Sequence, residues 1–302
     1  MSDSPTAVAD RDTLTRFMLE RSGVRGVLVH LDETWRSILE RSPYPASVAE
    51  RLGETCAAAA LFTGHAKVEG RLSVQLRGTG ALRTLFAECT SAGTLRGIAR
   101  YAEPLPEPLT PRAFGDGSLL AITIENQPAG GRELQRYQGL VDLAADQMAQ
   151  AFENYFGQSE QLPTRLLLAA DGERAAGLML QQLPEGHGDA DGWRRNGALF
   201  DTLGPDELLA LTGETLLWRL FHEEQVRILQ QARLSFACSC SRARVEDVLL
   251  SLGAEESLAS AESGRAEVHC DFCGQGYVFS REQIEALFQA PGANAPGSER
   301  LQ

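Results

Sequence analysis

Four cysteines near the C-terminus offer chemistry by their spacing alone: Cys238 and Cys240, one residue apart, and Cys270 and Cys273, two residues apart. With 29 residues between the two pairs, they supply the four thiolates that close a tetrahedral zinc shell. Gly274, directly after the second pair, tolerates the positive φ that a tight metal knuckle needs. A shell of four sulfurs leaves no position for water, so the site reads as structural or switch-like and not as a hydrolytic centre. Oxidation would remove the thiolates, and the two close pairs are ready-made partners, Cys238 with Cys240 and Cys270 with Cys273. A bridge across a single residue is expected to be strained, and so to form under oxidising stress and revert afterwards.

Other candidates are weaker. His269 adjoins Cys270 but is not needed where four cysteines are present, and His30, His65, His187 and His222 lack metal-ligand spacing. Cys56 and Cys89 have no cysteine neighbour and read as core. Cys-x-x-Cys also serves thiol oxidoreductases, but those place it at a helix start, whereas Gly274-Gln275-Gly276-Tyr277 and a strand follow it here. Gly78-x-Gly80 lacks the third glycine of a dinucleotide loop, Arg83 standing in its place. Lys67 is the one lysine among 28 basic residues and lies between Ala66 and Val68, so no phosphate-binding Gly-Lys-Ser/Thr motif exists.

The cysteines sit in a terminal module over 237–290. It contains a helix from Arg242 to Leu252, strand-like Ala266–His269 and Tyr277–Phe279 flanking the knuckle, and a last helix Arg281–Gln289. A domain this small is expected to depend on metal, and zinc binding would contribute on the order of 10 kcal/mol to its folding. Before it, 184–236 reads as a helical linker. A flexible stretch from Pro184 to Gly192 leads into amphipathic segments at Trp193–Thr202, Asp206–Leu211 and Glu214–Glu224. Short helices are marginal alone, so this should be among the least stable parts of the chain.

The remaining 1–183 form a larger core domain. We expect a helix around Thr13–Arg21, a strand at Val24–Leu31, and helices at Leu31–Arg41 and Ala46–Phe62. A β-meander follows through Arg71 onward, Leu82–Glu88 and Thr94–Tyr101, then strands at Leu119–Ile124 and Glu133–Leu140. A helix from Asp142 to Phe156 and a hairpin of Thr164–Ala170 with Ala175–Leu183 complete it. Strands broken by helices without regular alternation make the fold class α+β and not a doubly wound sheet. The tail 291–302 reads as disordered.

The net charge of −13 argues against a nucleic-acid adaptor, since phosphate binding wants a basic face. No apolar run reaches membrane-span length, and the polar, acidic start lacks the features of a secretory signal. A soluble cytoplasmic protein is the expectation. In that reducing compartment paired cysteines are metal ligands or redox switches more often than permanent disulfides.

Cys238-Ser239-Cys240-Ser241-Arg242 with His269-Cys270-Asp271-Phe272-Cys273-Gly274 resembles the 33 kDa chaperonin family of redox-regulated heat-shock holdases. The resemblance extends to Val24-Arg25-Gly26, Arg136-Tyr137-Gln138-Gly139, the run from Ser159 to Arg165, and the run from Trp218 to Glu224. It implies an ATP-independent chaperone and not an enzyme, idle while zinc is bound and switched on by oxidation to hold unfolded client proteins. It further implies that linker and zinc module unfold together and that the active form is a homodimer. Cys56 and Cys89 lie outside the motif and inherit no role.

Overall fold

A computed structural model describes residues 12–66, 68–126, 135–184 and 188–289. Lys67, His187 and the tail 291–302 lie outside the described residues. The chain divides into two compact units, with the break after Ala237.

The first unit is built on two sheets. β1 (Thr13–Leu19), β2 (Val24–Leu31), β8 (Thr164–Ala170), β9 (Ala175–Gln182) and β10 (Val226–Arg233) form one, in the order β10-β1-β2-β9-β8. The second has the order β11-β5-β4-β3-β6-β7. Its strands are β3 (Gly70–Arg77), β4 (Leu82–Thr90), β5 (Thr94–Tyr101), β6 (Leu119–Asn126), β7 (Gln135–Asp142) and the two-residue β11 (Ser235–Phe236).

Between the sheets runs α2 (Ala46–His65), packed against strands of both. Its small side chains explain how a helix fits there: Cys56 and Ala57 to Ala60 are wholly buried, so two backbones approach it from opposite sides. Gly97 on β5 is part of that fit, because a Cβ there would sit 2.6 Å from the Cys56 sulfur. α1 (Glu33–Leu39) and α3 (Met148–Ser159) close the same layer, with Phe152 and Phe156 edge-on to Phe62 at 5.2 and 4.9 Å.

The opposite face of the β1–β2–β9 sheet is covered by α4 (Gly192–Phe200), α5 (Pro205–Ala210) and α6 (Gly213–Phe221). Phe17, Leu19, Val24, Leu28, Leu178 and Leu180 meet Phe200, Leu208, Leu216, Leu217 and Phe221 there, a core separate from the one around α2. These helices are six to nine residues long, too short to persist undocked, so their order rests on this apolar layer. A buried ion pair helps to seat them. Arg195 of α4 donates to both oxygens of Glu224, at 2.5 and 3.1 Å.

Three expectations are corrected. Thr13–Leu19 is a strand and not a helix: Leu14 faces the α2 layer while Phe17 and Leu19 face α4–α6. A strand covered on both faces loses the alternation that marks one exposed to water. Asp142 ends β7 opposite Leu119, and the helix expected to start there begins at Met148. The helical reading of 184–236 fails in its second half, where β10 pairs antiparallel with β1 and β11 pairs with β5. That pairing joins residues some two hundred positions apart, which local periodicity does not register. The hairpin, the meander and the helices at Ala46–His65, Gly192–Phe200 and Gly213–Phe221 follow the sequence pattern closely.

The second unit holds α7 (Arg242–Leu252), α8 (Ala254–Ala259), α9 (Arg281–Gln289) and the antiparallel pair β12 (Arg265–His269) and β13 (Gly276–Ser280). Leu249, Ala261, Ala266, Phe279 and Ile284 form its buried core. A core of this size barely offsets chain entropy, which leaves the unit in need of a cross-link.

Candidate metal centre

Each cysteine is set by a local device. Cys238 and Cys240 lie just before α7, whose N-cap Ser241 accepts from Arg244 N at 3.3 Å, and Ser239 Oγ accepts from Arg244 Nη1 at 2.5 Å. The same helix is tied to the strands by Arg242, which stacks 4.0 Å over the Phe279 ring and donates to Val278 O at 3.0 Å. On the other half, Cys270 follows β12 directly. Its N–H donates to Gln275 O at 3.0 Å and its carbonyl accepts from Gly274 N at 2.8 Å, closing the knuckle. Gly274 has φ +71°, the left-handed conformation that its place after the cysteine pair anticipated. Beyond β13, Ser280 and Gln283 form a reciprocal capping box, with bonds of 3.0 and 3.2 Å, that starts α9.

These devices bring the four sulfurs within 4.8 Å of one another. Cys238 Sγ lies 3.6 Å from Cys270 Sγ, and Cys240 Sγ lies 3.4 Å from Cys273 Sγ. Zinc–sulfur bonds of about 2.3 Å at tetrahedral angles require sulfurs about 3.8 Å apart, so the set fits zinc in donor type, number and spacing. All four cysteines are half-buried, within reach of a small oxidant.

Electrostatics point the same way. Burial opposes ionisation of Cys238, but the Cys240 backbone N–H and neighbouring thiols outweigh it and bring the thiol down to about 7. Burial pushes Cys270 up and, with the negative charge of nearby sulfurs, pushes Cys273 up to about 12. Four thiols this close do not all ionise without a cation among them, so one thiolate forms readily and the full set awaits a metal.

The other sequence candidates lie elsewhere. Cys56 and Cys89 are buried in the α2 layer, where burial raises both thiols, Cys89 to about 12, and leaves them unreactive. His30 is buried, its Nε2 3.1 Å from Leu208 O. His65 contacts Arg25 and Glu160, and His222 contacts Trp218 O. His269 ends β12 outside the sulfur cluster. One contact went unread in the sequence: Tyr277 Oη lies 3.1 Å from Cys240 Sγ. Its signal was an aromatic hydroxyl four residues past Cys273 in a strand starting at the knuckle, which spacing rules for ligands pass over.

A two-sheet core, docked short helices and a four-sulfur module define a redox-responsive class of protein and no enzyme pocket. Comparison with known proteins agrees. The family model described as Hsp33 protein matches residues 12–280. A 33 kDa chaperonin of Pseudomonas fluorescens is 42% identical over 303 residues, covering 98% of this chain and 99% of the relative. A 33 kDa chaperonin of Chromobacterium violaceum is 43% identical over 278 residues, covering 92% and 94%. The crystal structure of the 33 kDa chaperonin of Thermotoga maritima superposes with a TM-score of 0.76 at 22% identity, covering 92% of this chain and 98% of that one. The chain belongs to the Hsp33 family of redox-regulated chaperones, which are not enzymes, and zinc is the metal that its clustered cysteines suit. No helix among the described residues is long and apolar enough to cross a membrane.

Proposed function

We propose that this chain is an ATP-independent cytoplasmic holdase, idle when reduced and zinc-loaded, and switched on by oxidation of Cys238, Cys240, Cys270 and Cys273. The observation that carries it is the gathering of these four sulfurs within 4.8 Å in a unit with so small a core. Cys238, Cys240, Cys270 and Cys273 would hold the ion, which when bound cross-links the two halves of the module and stabilises its fold.

In the oxidised form Cys238 pairs with Cys240 and Cys270 with Cys273. Each pair surrenders two electrons and two protons to one hydroperoxide, the S–S bond forming as the O–O bond breaks and two waters leaving per hydrogen peroxide. The nearest sulfurs of the reduced site, Cys238–Cys270 and Cys240–Cys273, do not select the oxidised partners, because all four are near neighbours around one point. Once the module loosens, short sequence separation governs which thiols meet.

The consequence for the rest of the chain follows from connectivity and from the α4–α6 layer. One residue, Ala237, separates β11 from Cys238. The stretch 184–236 acts as the metastable linker: its release would uncover Phe17, Leu19, Leu178 and Leu180 together with the apolar faces of α4–α6. That surface suits exposed hydrophobic segments of unfolded clients, and two oxidised chains would associate through it as a homodimer. The test is light scattering from an aggregating client with reduced protein, oxidised protein, and oxidised protein returned to reductant plus zinc. Protection by the oxidised sample alone is expected. Equal protection by all three would leave a constitutive chaperone, and protection by none would reject the reading.

A further inference from the structure

Tyr277 lies on β13, opposite Val268 of β12, and its ring packs against the small core of the second unit. That packing fixes the ring and so aims the hydroxyl, which ends 3.1 Å from Cys240 Sγ. The contact crosses the site. Tyr277 belongs to the segment that carries Cys270 and Cys273, whereas Cys240 belongs to the segment before α7. A phenol O–H donates and a thiolate accepts, so the bond draws electron density from the sulfur and tethers it toward Cys273, 3.4 Å away. The nearby hydroxyl of Ser239 accepts instead from Arg244 Nη1 at 2.5 Å.

We propose that Tyr277 is a positioning residue of the redox centre: its O–H···S bond holds Cys240 in the four-thiolate arrangement and restrains it from entering the first disulfide. This rests on the four-thiolate reading above. In the step concerned, a thiolate attacks a hydroperoxide oxygen, the O–O bond breaks, hydroxide leaves and the sulfur becomes a sulfenic acid. A second thiol then displaces water to form the S–S bond. Cys240 takes part either as the attacking sulfur or as the resolving thiol for Cys238, and both roles require a free sulfur lone pair and movement away from Cys273. The phenol opposes each, so the threshold for switching is partly a property of one hydroxyl.

The test compares the full-length, zinc-loaded wild type with Tyr277→Phe, which keeps the ring and removes the donor. Zinc affinity from chelator competition should fall roughly tenfold, the low end for loss of an outer-shell partner. Zinc release by hydrogen peroxide, followed with a chromophoric chelator, should accelerate several-fold. The thiolate-to-cobalt charge-transfer band of cobalt-loaded protein should move to lower energy, a change that a purely packing role would not produce. Ser239→Ala should leave the band in place.

If Tyr277→Phe does not fold, 3-fluorotyrosine at position 277 decides: a more acidic phenol donates more strongly, so release should slow. A band and a release rate unchanged in Tyr277→Phe, or a release rate that 3-fluorotyrosine fails to slow, would overturn the proposal while the four-thiolate reading stands. A wild type that carries no zinc would overturn both.

Discussion

Removing the Phe221 ring tests whether α4–α6 form a separately releasable layer. Phe221 is wholly buried against the β1–β2–β9 sheet and stacks on Phe17 with ring centroids 6.3 Å apart. Truncating a buried phenylalanine costs about 3–5 kcal/mol. If that loss falls on local opening of the layer, about 4 kcal/mol raises the open population roughly 10³-fold. Hydrogen exchange by mass spectrometry should therefore show amides of Leu216–Phe221 exchanging about three orders of magnitude faster in Phe221→Ala, with those of Leu52–Leu61 in α2 unchanged. The reduced, zinc-loaded variant should also suppress client aggregation measurably where the wild type does not. Phe152→Ala is the control: it removes an equally buried ring from the α2 core and should raise global unfolding without releasing α6 selectively. Equal acceleration in α2 and α6 of Phe221→Ala would show one cooperative unit and refute the reasoning.

Three further outcomes are expected. Cys270→Ser should lose its zinc while Cys56→Ser, Cys89→Ser combined should keep it, as read by metal analysis; the reverse pattern would misplace the site. Arg195→Ala should lower stability by about 3–5 kcal/mol, because it strands the buried Glu224 carboxylate, and denaturant melts should show it; a loss under 1 kcal/mol would mean water reaches Glu224. Glu54 on α2 is buried, which raises its carboxyl to about 7 against the attraction of Arg51. A proton held more tightly in the folded state means stability that is full below about 4.5 and declines as pH rises toward 7. Glu54→Gln lacks that decline, so relative to wild type it should gain about 1–3 kcal/mol between pH 5 and pH 8; a pH-independent difference would contradict it.

Much of the fold and nearly all of the site were legible because they depend on local signals. Four cysteines in two tight pairs, a glycine at the knuckle and alternating strands such as Leu72, Val74 and Leu76 encode their roles within a few residues. What was missed depends on distant partners. Thr13–Leu19 is covered on both faces by elements far along the chain, and β10 is an edge strand with little burial contrast, its order supplied by β1. Tyr277 was read as a strand residue because nothing local ties a phenol to a sulfur 37 positions away.

The most direct test of the redox switch is an oxidant titration in which zinc release, free thiols and suppression of client aggregation are read from the same samples. The account predicts that protection rises in step with release of one zinc per chain and the loss of four thiols, and falls again with reductant and zinc. Full protection from samples that retain their zinc and all four thiols would contradict it.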